Sequence, residues 1–477
     1  MKFKKGENKM NSKLETTKIF KFPESIKGAF IKTPGIHFKD GTYVSSEEIW
    51  DFMTVEAPIR FPYAYSLEKN YQSRLSRDVE FFSGIKHSYL NLTFRDRLLR
   101  AHANGTPIVH VQGGQTVDPY FAAGAIPVVP GPLRGWARDM EEGLDVRSAG
   151  RRAMKIMESG RQTISIECCN NPIGSIESIR QKLVPVDLIA PYLCLRCTDI
   201  AYVLESYRTS IKDIPLHFID FPVTRDKKWT VEYVAELIYE LVKKLGDLRG
   251  VTIANEDLWK EIKLENRGRR LARETVESIW KAKKFPVTST DLSSIITSGR
   301  FDRGDSLAST EFLEQANKEV KERISKGIKG AGLSDKPVKI LSVGSCFGLR
   351  ADFVEEKGGV IVGTDDHLSK IYADVVESGD PYEEIAKSIL SYKYEQPTEQ
   401  RAQYVIDLVR ESKADGVVCG YNWGCNYQSA SSRMIADIVK KETGVPTINI
   451  EVAELGLLEG NEQTQNRLEA FIEMLDN

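Results

Sequence analysis

Residues 416–443 read GVVCGYNWGCNYQSASSRMIADIVKKET, and the order of patterns in that run decides the fold. Gly416 to Tyr421 is an apolar run of strand length. A polar, glycine-containing turn with Cys425 follows, and a helical pattern continues from near Ser429 to Thr443. Pro446 to Val452 (PTINIEV) is then a second β-branched run. Strand, turn, helix and strand in that order make one unit of a parallel sheet, because parallel neighbours need a long crossover between them.

Working outward, Val338 to Val343 (VKILSV) and Val360 to Gly363 supply two more strands, with helices expected at 349–357, 382–393, 398–413 and 464–475. Residues 230–335 instead carry long helical patterns, Val231 to Leu248 and Glu256 to Lys284 among them, and read as a helical insertion or linker. Before them the α/β alternation returns in Pro107 to Val111 (PIVHV), Thr163 to Glu167 (TISIE), Val186 to Ala190 (VDLIA) and Leu216 to Phe221 (LHFIDF). The expected layout is an N-terminal extension and irregular segment over 1–80, a first α/β domain over 81–229, the helical segment over 230–335 and a second α/β domain over 336–477. The fold class is α/β, with two Rossmann-like parallel sheets.

Composition narrows the function. The chain has 477 residues, with 66 Lys and Arg against 68 Asp and Glu, so its formal net charge is -2. That near-neutral balance gives no electrostatic footprint for nucleic acid or an anionic membrane surface. No stretch reaches the roughly 20 apolar residues of a membrane span. Tyr120 to Val129, the longest candidate, is broken by Gly124 and Pro127. The lysine-rich N-terminus is followed by no apolar signal core, so the expectation is a cytoplasmic protein with reduced thiols.

Seven cysteines are too few for a disulfide scaffold, but their positions are not random. Cys168 and Cys169 follow TISIE, Cys194 and Cys197 follow VDLIAPY, Cys346 follows VKILSVG, and Cys425 follows GVVCGYNW. Each of these turns leads into a helical pattern. In an open α/β sheet such turns lie at the carboxyl ends of the strands, where ligands bind. Helix N-terminal N–H groups there favour thiolates and anionic clusters. Cys419 lies inside a strand and reads as a small core hydrophobe.

Three chemistries use such a set. Zinc would take four thiolates, although adjacent cysteines make poor tetrahedral co-ligands. Cys194 and Cys197 form a CxxC, which alone would be a dithiol redox motif. An iron–sulfur cluster would use cysteines from several turns. A cysteine hydrolase fits poorly. Gly344-Ser345-Cys346-Phe347-Gly348 has the look of a nucleophile elbow, but His367 is the only histidine after it and lies in the next connection. No Walker A motif and no G-x-G-x-x-G after a strand occur, so no nucleotide site is expected. The six histidines show no ligand spacing, and His110 and His217 read as packing residues within strands.

Four stretches carry a family resemblance: VDPYFAAGAIPV (117–128), CCNNPIG (168–174), DLIAPYLCLRCTD (187–199), and the run from DGVVCGYNWGC (415–425) through TGVPTINIEV to QTQNRLEAFIEML. Over roughly residues 80–477 the chain resembles the 2-hydroxyacyl-CoA dehydratase and benzoyl-CoA reductase component family. The resemblance implies two α/β domains with an iron–sulfur cluster between them. Ordinary members hold one 4Fe–4S cluster with three cysteines. Here those positions are doubled as Cys168/Cys169, Cys194/Cys197 and Cys346/Cys425. The sequence is therefore most similar to the double-cubane branch, whose 8Fe–9S cluster needs six cysteine ligands and one shared sulfide.

That branch implies a low-potential reductase acting on a small molecule. A separate ATP-hydrolysing iron–sulfur activator would supply its electrons, and the chain would form a homodimer. A dehydratase subunit with a single 4Fe–4S cluster and a non-catalytic metal-binding or electron-carrier protein are the alternatives. Asn170, Asn171, Asn422, Trp423 and Asn426 flank the cysteines. They could shape the pocket or bond the sulfurs; asparagine also suits such turns for backbone reasons alone. The sequence identifies neither the substrate nor a CoA site.

Overall fold

The computed structural model describes residues 19–67, 75–111, 116–129, 142–163, 169–193, 198–222, 224–225, 227–301, 303–344, 349–421, 425–451 and 462–476. The strands are β1 (Ile36–His37), β2 (Tyr43–Val44), β3 (Ile108–His110), β4 (Ile126–Val128), β5 (Leu188–Ile189), β6 (Tyr192–Leu193), β7 (Ile219–Asp220), β8 (Val338–Val343), β9 (Gly359–Thr364), β10 (Gly416–Tyr421) and β11 (Thr447–Glu451). The helices that matter below are α1 (Phe82–Leu92), α2 (Asp118–Ala122), α3 (Asn170–Arg180), α4 (Thr198–Ser210), α5 (Lys228–Arg249) and α6 (Asn255–Lys281). They continue as α7 (Ser289–Ser298), α8 (Ser306–Ser325), α9 (Asp365–Ile371), α10 (Pro381–Leu390), α11 (Thr398–Ser412), α12 (Asn426–Thr443) and α13 (Glu462–Asp476).

The C-terminal sheet is parallel throughout, in the order β9-β8-β10-β11. In the N-terminal sheet β4, β3 and β5 are parallel neighbours, and β6 pairs with β7. β5 and β6 are two halves of one strand. Pro191 between them has no N–H to donate, yet Ile189 bridges Leu216 and Tyr192 pairs with Ile219, so the same outer strand accompanies both halves. Counted along the described chain, both sheets have the strand order 2-1-3-4. The chain reverses direction between the first and third strands of each, and the crevice at their carboxyl ends is the ligand position of this topology. The α/β expectation for both sheets is met. TISIE falls largely outside the described residues.

The long helices hold the two sheets to each other. The indole N–H of Trp280 near the end of α6 donates to Val362 of β9 at 2.9 Å, and Arg269 midway along α6 reaches Asp118 of α2. One apolar core joins the N-terminal segment, α6, α7, α8 and the C-terminal sheet. A second joins the N-terminal sheet, α5, α6 and α10. Residues 19–92 contribute buried aromatics, among them Trp50 and Tyr65 in helices and Phe61 and Phe81 directly before helices. The Glu319 carboxylate of α8 accepts from the backbone N–H groups of Phe82 and Ser83 at 2.7 and 2.8 Å, capping α1 from outside.

Candidate functional site at the carboxyl ends of the two sheets

In the C-terminal sheet the crevice lies between β8 and β10, which are paired up to Val343 and Cys419. Gly344 leaves β8 at φ +119°, and a Cβ there would stand 2.9 Å from the Gly420 carbonyl oxygen. Only glycine fits this close approach. The Gly344 N–H donates to Asp365 Oδ1 at 2.8 Å. Asp365 Oδ2 accepts from Arg401 Nε at 2.8 Å, and Arg401 Nη2 lies 2.7 Å from the same oxygen. The guanidinium stacks on the Tyr394 ring at 4.2 Å, and Gln428 of α12 donates to the Tyr394 hydroxyl. Gln428 Oε1 returns to within 3.5 Å of where a Gly344 Cβ would be. A closed loop of buried groups thus fixes the first residue after β8 against the first turn of α12. Burial pushes the Asp365 carboxyl up, and Arg401 and the Gly344 N–H pull it back.

Cys425 is the residue immediately before α12 and is half-buried; its carbonyl accepts from Ser429 at 3.0 Å. Cys169 is the corresponding residue before α3 and is buried. Two expected ligands therefore stand at helix N-termini, one in each α/β unit, where the helix dipole favours thiolate. Cys168, Cys194, Cys197 and Cys346 lie outside the described residues, as do Asn422 and Trp423 and the side chains of Asn170, Asn171 and Asn426. Cys194 directly follows β6, and Cys346 comes two residues after Gly344. Cys419 is fully buried in β10, and burial pushes its thiol up to about 12, as a core residue requires. His110 and His217 are buried packing residues of the N-terminal sheet.

Between the sheets lies ionic chemistry that periodicity alone does not announce. Arg269 Nη2 donates to Asp118 Oδ2 at 2.5 Å and to Glu265 Oε2 at 2.8 Å, all three side chains being buried. Further toward the C-terminal sheet, Asp366 pairs with Lys370 at 3.0 Å. Burial would raise the Asp366 carboxyl, but Lys370, His367 and Arg300 outweigh it and hold it below the usual carboxylate range. The sequence did hold signals for these groups. Asp365 and Asp366 directly follow a strand, and Glu261, Glu265 and Arg269 repeat at helical spacing.

Thiols at helix N-termini are the donors that an anionic thiolate-ligated cluster would use. Among the described residues no three His, Cys, Asp or Glu side chains converge as a metal site, and Cys169 and Cys425 are the described members of the expected ligand set. No helix among the described residues is long and apolar enough to cross a membrane.

Comparison with known proteins agrees with the geometry. The family model described as 2-hydroxyglutaryl-CoA dehydratase, D-component, matches residues 119–475. The chain is 27% identical over 274 residues to the provisionally named dehydratase subunit YjiM of Escherichia coli (strain K12), covering 55% of this chain and 68% of that one. It is 22% identical over 292 residues to the (R)-phenyllactyl-CoA dehydratase beta subunit of Clostridium sporogenes, covering 58% and 73%. It is 24% identical over 252 residues to one of the subunits of benzoyl-CoA reductase from Thauera aromatica, covering 50% and 62%.

Proposed function

The chain belongs to the 2-hydroxyglutaryl-CoA dehydratase D-component family, and from that premise we propose that it is an iron–sulfur reductase bearing an 8Fe–9S double-cubane cluster. Its ligands would be Cys168, Cys169, Cys194, Cys197, Cys346 and Cys425. The observation that carries this reading is the placement of Cys169 and Cys425, each at a helix N-terminus in a separate α/β unit of the same strand order. The cluster would supply low-potential electrons to a small molecule.

The protein's own part is then positional and electrostatic. The Gly344–Asp365–Arg401 anchor sets the start of the turn that carries Cys346. α3 and α12 point their N-termini at the turns of Cys169 and Cys425, favouring negative charge there. The relatives are named as subunits of dehydratases and a reductase, which supports a partner protein here. By the family resemblance that partner would be an ATP-hydrolysing iron–sulfur activator; the chain carries no nucleotide motif of its own. A homodimer in the cytoplasm completes the reading.

The names of the relatives favour a second reading, a dehydratase subunit with one 4Fe–4S cluster. Iron per chain separates the two. Anaerobically purified protein should carry about eight irons with matching sulfide, against about four for a single cubane. Zinc in place of iron would sink both.

A further inference from the structure

Helix α6 presents Glu261, Glu265 and Arg269 at successive turns, one above another. Glu265 and Arg269 are buried against the loop that leaves the carboxyl end of β3. There Asp118 and Glu265 both accept from the same guanidinium nitrogen, at 2.5 and 2.8 Å, which brings the two carboxylates side by side. Thr116 donates to Asp118, and Arg269 Nη1 donates to Asn266 at 2.9 Å. Asp118 Oδ1 and Glu265 Oε1 are fully buried and have no hydrogen-bond partner among the described residues. One guanidinium cannot neutralise two buried carboxylates, and two orphaned carboxylate oxygens are costly. A proton between them removes both problems.

We propose that Asp118 and Glu265 hold one proton between them over Arg269, and that this pair exchanges protons with the crevice at the end of the N-terminal sheet. Its inner neighbour is Tyr192, whose hydroxyl reaches the Thr116 carbonyl at 3.5 Å and which lies two residues before Cys194. Its outer neighbour is Glu261, one helical turn away and bonded to the half-exposed Lys39 at 2.6 Å. Lys39 also donates to Asp305 through its backbone, and Ser306 donates to Glu261. Tyr120, Tyr392 and Arg300 are the other titratable groups around the site. Burial and the Asp118 charge both raise the Glu265 carboxyl. In the transfer the Glu265 O–H bond breaks as an O–H bond forms on Asp118. The Asp118 O–H bond would then break as the proton passes to the basic atom that an added electron creates in the crevice, and a proton from solvent, entering past Lys39 and Glu261, restores the pair.

The test begins with infrared spectra of the full-length chain at neutral pH, which need no cluster. The wild type minus Glu265→Gln difference should contain a protonated-carboxyl band. Asp118→Asn should lose the same band, because a lone carboxyl beside Arg269 ionises. Each single variant keeps one anion for Arg269 and should fold; the double variant should not. A difference spectrum with no such band overturns the proton pair. The delivery half rests on the cluster reading and has its own measurement. In the iron-loaded chain the midpoint potential should fall as pH rises, and the dependence should flatten in Glu265→Gln at unchanged iron content. The same slope in both would overturn delivery. A chain that binds no iron refutes the cluster reading and, with it, delivery, and leaves the infrared result standing.

Discussion

The backbone N–H of Gly344 donates to a carboxylate, Asp365 Oδ1 at 2.8 Å, whose other oxygen is held by the fully buried Arg401. Asp365 therefore ties the exit of β8 to α11. Removing it leaves a buried guanidinium without its counter-ion, which costs about 3–5 kcal/mol. Asp365→Ala should lower the urea midpoint accordingly. Asp365→Leu with Arg401→Met removes both charges together with the acceptor of the Gly344 N–H, and should recover part of that stability. Iron loading should stay low in both, because the turn has lost its anchor in each. Full iron in the double variant would show that the anchor serves the fold alone.

Gly344→Ala tests the same turn sterically. Its φ of +119° is unfavourable for alanine, and the new Cβ would press on the Gly420 carbonyl at 2.9 Å. A strained position of this kind costs about 1–3 kcal/mol. Thermal unfolding should shift down by that amount. Gly444→Ala, in open space at φ +73°, carries strain without the clash and should cost less.

The parts of this protein that the sequence disclosed are those where chemistry and pattern coincide. VKILSV and GVVCGY became β8 and β10 to the residue because both faces of those strands are buried. β4 stayed hidden because Pro127 stands in its middle. A proline there is tolerated because β4 is an edge strand of the described sheet, paired only with β3. Residues 19–92 showed no clear period because the helical run that carries Trp50 turns π-helical over Phe52–Glu56, which shifts the 3.6-residue repeat, and because Phe61 and Phe81 lie between helices. At the candidate site the cysteine-bearing turns are visible in the sequence. Asp365 directly follows a strand, but its pairing with Arg401 stayed hidden, since charged residues read as surface until a partner 36 positions away is seen.

Cys419 and Cys425 should react differently. Cys419 is fully buried with its thiol pushed up to about 12, whereas Cys425 is half-buried at a helix N-terminus. In the cluster-free native chain, iodoacetamide should modify Cys425 and spare Cys419, as peptide mass mapping would show. Cys419→Ala should keep full iron, and Cys425→Ala should lose iron without losing the fold. Iron loss in Cys419→Ala at unchanged thermal stability would contradict its assignment as a core residue.

Asp291 at the start of α7 gives a pH signature separate from the proposed cluster. Its carboxyl is fully buried and pushed up to about 7 by burial, with Asp78 and Glu355 adding negative charge against the bond from Thr288. Below pH ~4 the group is protonated in both folded and unfolded chains and contributes nothing. Between pH ~4 and ~7 the unfolded chain loses this proton while the folded chain keeps it, so stability falls as pH rises. Above that window the penalty is constant, on the order of a few kcal/mol. Asp291→Asn removes the titration. Urea unfolding across this range should show the variant gaining on the wild type as pH rises, with no further gain above neutrality. A gap that does not change with pH would mean that Asp291 is ionised in the fold throughout.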